Sequence, residues 1–207
     1  MGSENTKLYF YPFWLRIWHG INAIGIILLI FTGIAMQSGF DSSFIKFQLA
    51  VNLHNISGIA VTLNYLLFFI GNIVTSNGKF YLIKPMGFLK RLMKQAYYYS
   101  YGMFHGMKAP YPLSEKRKFN PLQKYSYVFV MYLFVPFVII SGFALLFPEM
   151  IIDKVYNLSG VFLTAVLHSA AGFFISIFLL IHLYVASIGK FPVENFKSII
   201  TGWHNIH

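Results

Sequence analysis

The sequence contains no cysteine and only six acidic residues among 207. Without thiols the chain holds no disulfide, no Cys-ligated iron–sulfur cluster and no covalently attached c-type heme. Any redox centre must be held by His, Met or Tyr, or be a bound organic molecule. Charge of either sign is scarce: 11% of residues are charged, where a soluble domain typically carries ~25%. There is no dinucleotide fingerprint, no Walker loop and no separate soluble catalytic stretch, so substrate chemistry would fall to a partner.

Apolar surface is what the chain has in excess, at 57% hydrophobic residues with a mean hydropathy of +0.62. The net charge of +10 does not mark a nucleic-acid binder. The sixteen Lys and Arg fall between apolar blocks, the pattern of membrane topology, and form no stripe interleaved with base-stacking aromatics. Four stretches are long enough to cross ~30 Å of hydrocarbon, which takes ~20 helical residues. They run over about 13–37, 51–75, 122–147 and 158–188, and Pro136 is expected to kink the third. The expected fold is all-α: one integral membrane four-helix bundle spanning 1–207, with a loop at 76–121.

Basic residues sort strongly by side. Lys7, Arg16, the loop from Lys79 to Lys124, Lys190 and Lys197 fall on one face, leaving Lys46 and Lys154 on the other. This split of fourteen against two places both termini and the loop in the cytoplasm. Lys84–Tyr101 mixes Lys and Arg with Phe, Leu, Met and Tyr, as a helix lying in the membrane interface does.

Ionisable groups inside spans are expensive and mark functional sites. Four of the seven histidines lie in or at the ends of spans: His19, His54, His168 and His182. By depth they pair as His54 with His168 near the outer face and His19 with His182 near the inner one. Fourteen residues separate His168 from His182, which returns them to within ~40° on one helix face and ~21 Å apart along it. Two stacked macrocycles with imidazole axial ligands suit that spacing. Gly58 and Gly172 each follow a histidine by four residues, one turn on, where a missing side chain lets a flat porphyrin lie against the helix. Small residues also serve plain helix packing. Zinc fits poorly, because neither pair has a carboxylate or Cys nearby to complete a tetrahedral site. His105, His204 and His207 are expected to be solvated.

Several runs resemble the diheme b-type cytochrome subunits of respiratory formate dehydrogenases. They are Arg16-Ile17-Trp18-His19, Thr32-Gly33, Leu53-His54 with Gly58, Lys118-Phe119-Asn120-Pro121-Leu122-Gln123-Lys124, and Leu167-His168-Ser169-Ala170-Ala171-Gly172 through His182-Leu183-Tyr184. Similar subunits anchor nickel–iron hydrogenases and thiosulfate reductases. The resemblance covers about Trp14 to Gly202 and implies two non-covalent b-type hemes ligated by the four histidines. It also implies a quinone near Asn120 and Gln123, an iron–sulfur or multiheme partner at the outer face, and a place in the bacterial cytoplasmic membrane. Leu122 stands where formate dehydrogenase subunits tend to carry Gly.

From the residues alone, Asn120 and Gln123 are neutral hydrogen-bonding groups three apart on one helix face. Asn120 before Pro121 is also a natural helix cap, a role that does not require Gln123. A second class of function, a transporter or proton conductor using His relays, conflicts with the near absence of Asp and Glu from the spans. A dithionite-reducible b-type spectrum separates the two.

Overall fold

The computed structural model describes residues 6–37, 45–188 and 193–206. Four long helices form the spans. They are α1 (Phe13–Gln37), α2 (Phe47–Val74), the pair α4 (Pro121–Phe129) and α5 (Val135–Leu146), and α6 (Gly160–Ser187). Their apolar windows meet the length and hydropathy a membrane span needs. The exterior is apolar, unlike that of a soluble bundle, and the interior mixes apolar side chains such as Phe68, Val135 and Ile175 with polar ones. Ile24, Phe31, Ile56, Leu67, Ile140 and Leu180 point outward, while Thr32, Ser57, Asn64, Asn72 and Ser141 are buried between helices. In lipid the apolar side chains gain little by hiding, and small or polar groups can share the helix contacts. Gly25 and Gly71 show the close approach directly: a Cβ there would meet Val61 Cγ2 at 2.4 Å and Trp14 Cζ3 at 2.8 Å.

The second span begins at Phe47, four residues before the sequence expectation, and residues 38–44 lie outside the described residues. Between α4 and α5 the helix widens into a π-helical turn, Val130–Phe134, where the Val135 N–H bonds the Val130 carbonyl. Pro136 follows within the first turn of α5 and offers no N–H of its own, so the ladder is already broken there. The loop between the second and third spans carries α3 (Phe88–Ser100), which exposes Leu89, Met93 and Tyr97 on one face. Arg91 holds α3 to its surroundings, donating to the Met86 and Lys84 carbonyls and the Tyr125 hydroxyl.

Small β elements supplement the helices. Strand β1 (Thr6–Tyr9) pairs antiparallel with β4 (Trp203–Ile206), which follows α7 (Glu194–Thr201). The two tails therefore lie together at one end of the bundle. At the other end, β2 (Lys154–Val155) and β3 (Leu158–Ser159) make a short hairpin. His204 is not solvated as expected: it is half-buried, with Nδ1 2.9 Å from Ser198 Oγ and its ring against Phe10. The tail strand pairing buries it. His105 is exposed and stacks on Tyr101, and His207 lies outside the described residues.

Candidate functional site: two histidine pairs in the bundle

The four span histidines meet in the expected pairs. His19 on α1 faces His182 on α6 with ring centroids 6.3 Å apart. His54 on α2 faces His168 on α6 at 6.2 Å. Among the described residues no group of three or more His, Asp or Glu gathers as a metal cluster, so each donor set consists of two imidazoles.

At the pair farther from the tails, each imidazole is held the same way by a neighbouring helix. The Thr32 hydroxyl donates to the Leu28 carbonyl at 2.7 Å and lies 2.9 Å from His54 Nδ1. The Ser141 hydroxyl donates to the Phe137 carbonyl at 2.7 Å and lies 2.9 Å from His168 Nδ1. In both, the hydroxyl hydrogen is committed to the helix, so the oxygen accepts from Nδ1–H. That fixes the neutral tautomer with the Nε2 lone pair open to a metal. A glycine follows each hydroxyl residue: a Cβ on Gly33 would lie 3.6 Å from His54 Cε1, and one on Gly142 3.2 Å from His168 Cε1. Thr32-Gly33 and Ser141-Gly142 thus form matching cradles on α1 and α5.

The pair nearer the tails is built differently. Tyr127 OH lies 3.4 Å from His182 Nδ1, and Phe178 stacks on the His182 ring at 5.8 Å. The turn carrying His19 is pinned through Trp18, whose carbonyl accepts from Asn64 Nδ2 at 3.0 Å and whose ring stacks on buried Phe68 at 4.3 Å. Two buried donors beside His19, Trp18 Nε1 and Arg16 Nε, have no hydrogen-bond partner.

Gly58 and Gly172 do not seat a neighbouring helix. A Cβ at Gly172 would meet no atom within 4 Å, and one at Gly58 only Leu29 Cδ2 at 3.9 Å. Asn120 and Gln123 are joined in a reciprocal cap. Asn120 Oδ1 accepts the Gln123 N–H at 3.0 Å, and Gln123 Oε1 accepts the Asn120 N–H at 3.2 Å. The cap therefore uses Gln123 as well, contrary to the expectation. Asn120 Nδ2 also donates to Tyr99 OH at 2.7 Å.

Residues 10–202 match the prokaryotic cytochrome b561 family. The chain belongs to it. A relative from Escherichia coli (strain K12), named "Putative cytochrome YdhU", is 33% identical over 203 residues, covering 98% of this chain and 76% of its own. The cytochrome is thus a multi-pass electron-transfer protein of the bacterial inner membrane, in contact with lipid and a redox partner, and its family implies b-type heme.

The donor set fits that group. A metal–imidazole bond of ~2.0–2.1 Å on each side, plus about 1 Å from nitrogen to ring centre, asks for centroids ~6 Å apart. Both pairs have this spacing. Heme also brings two carboxylates, and the unpartnered donors of Trp18 and Arg16 are complementary to them. Sequence reasoning named the four histidines that the fold brings together in pairs, but not the Ser141, Gly142 and Tyr127 beside them. The repeated hydroxyl–glycine dipeptide was the available signal.

Proposed function

We propose that the cytochrome carries electrons through two b-type hemes between a partner subunit and quinone in the lipid. His54 and His168 hold the outer heme and His19 and His182 the inner one. The observation that carries this reading is the meeting of four imidazoles as two pairs, both spaced for an axially ligated iron. When bound, heme supplies reversible one-electron chemistry. The chain orients the imidazoles, keeps the outer pair in the ligating tautomer, and surrounds both pairs with hydrocarbon. Gly58 and Gly172 leave the helix surface flat where a macrocycle would lie.

Both tails and the basic loop face the cytoplasm, and the outer face docks an iron–sulfur or multiheme partner. Quinone meets the inner heme near the start of α4, close to Asn120 and Gln123. A pyridine hemochrome assay against protein concentration should give two hemes per chain. His168→Ala should remove the outer heme and His182→Ala the inner one. A ratio near one or zero, or retention of both hemes in either variant, ends this reading.

A further inference from the structure

Beyond the histidines, the tail end of the bundle holds a buried cation with no carboxylate beside it among the described residues. Lys118 is 3% exposed. Its Nζ sits 4.5 Å from the Tyr11 ring centroid, 5.6 Å from Phe80 and 5.5 Å from Phe119. Aromatic faces stabilise an ammonium but do not neutralise it. One hydrogen bond leads away: Nζ donates to Asn77 Oδ1 at 3.1 Å. Asn77 Nδ2 then donates to Asn72 Oδ1 at 2.7 Å, and Asn72 Nδ2 donates to Tyr132 OH at 3.3 Å.

Direction in this chain is set at its first link. A protonated lysine has donors and no acceptor, so Asn77 must turn its oxygen toward it. The Asn77 amide nitrogen then faces Asn72, and the Asn72 nitrogen faces the phenol. Every donor points from Lys118 to Tyr132, and successive bonds of one sense polarise each other. The Tyr132 oxygen accepts from Asn72, which leaves its own O–H free to donate. Tyr132 lies in the π-helical turn and is 37% exposed, while Asn72 and Asn77 are buried. Turns of this type frequently mark functional sites.

We propose that the Tyr132 hydroxyl donates a hydrogen bond to one carbonyl oxygen of the quinone, with Lys118, Asn77 and Asn72 as the polarised line behind it. The proposal rests on the quinone-linked reading above and adds a contact that Asn120 and Gln123 do not supply. Desolvation holds the Lys118 ammonium down to about 7. The titratable groups around it are phenols: Tyr11 faces it directly, Tyr81 borders Asn77, Tyr127 packs on Phe119, and Tyr132 ends the hydrogen-bonded line. Burial pushes Tyr11 up to about 12 and Tyr81 higher still, so among these groups Lys118 is the one that changes charge near neutrality. Quinone binding should therefore tighten as pH falls through about 7.

The test uses the full chain in lipid nanodiscs, titrated with a short-tailed naphthoquinone at several pH values. Tyr132→Phe removes one oxygen and should weaken binding roughly tenfold, the effect of one lost hydrogen bond, with heme content and reduced spectrum unchanged. Lys118→Met should weaken it less at high pH than at low, which flattens the profile. Wild-type affinity in Tyr132→Phe, or a preserved pH profile in Lys118→Met, overturns the proposal alone. A wild-type chain that binds no naphthoquinone overturns it together with the quinone-linked reading.

Discussion

Thr32 and Ser141 are 1% and 7% exposed, so each has only the histidine and its own helix to bond. An imidazole that donates Nδ1–H is a slightly stronger ligand, and a stronger ligand favours the ferric state. Thr32→Val and Ser141→Ala should leave both hemes bound and raise the outer midpoint potential, each by roughly 10–40 mV if one modest hydrogen bond is at stake. The inner potential should hold. Potentiometric titration of the two absorbance components checks this, and equal shifts in both would point to a general loosening of the bundle. Depth and helical spacing made the four histidines legible in the sequence. The hydroxyls that orient them were not, because Ser and Thr occur throughout membrane helices and only the α1–α2 and α5–α6 contacts show which ones face a ring. Lys118 was hidden for a related reason. In a basic loop, nothing local distinguishes a solvated lysine from one folded under Tyr11, Phe80 and Phe119.

Spans were readable to within a few residues, because hydropathy and length are local properties. The exception at Phe47 arises because Phe47–Ala50 extends the helix below the apolar block that the sequence marks. The π-helical turn is also not written locally: Pro136 announces a missing donor, but where the widening falls depends on neighbouring helices. The start of α4 poses the sharpest question at this scale, since Asn120 and Gln123 serve the cap whatever else they do. An N-cap is worth ~0.5–2 kcal/mol, and Ser preserves it where Ala does not. Asn120→Ser should therefore keep wild-type heme content and thermal stability while slowing quinone-linked electron transfer several-fold. Gln123→Leu should slow it as well, with reduction of the outer heme by an artificial donor unaffected. Full quinone turnover in both variants would limit these residues to capping.

At the scale of the whole molecule the open variable is direction across the membrane. The four spans among the described residues and the β1–β4 pairing put both tails at one end, where α3 and the basic loop also lie. Lys and Arg resist transfer across the bilayer, so the end with fourteen of the sixteen should stay in the cytoplasm. An interfacial α3 would add to this bias: Lys90 and Lys94 flank its exposed Leu89, Met93 and Tyr97, a face suited to an anionic inner leaflet. A reporter active only in the cytoplasm, fused after His207, should therefore be active. The same reporter inserted between Asp153 and Asn157, in the hairpin at the opposite end, should be silent. The reverse pattern would invert the outer and inner hemes and move the quinone contact to the external side. The histidine pairs would stand, but the proton taken up on quinone reduction would come from the other compartment.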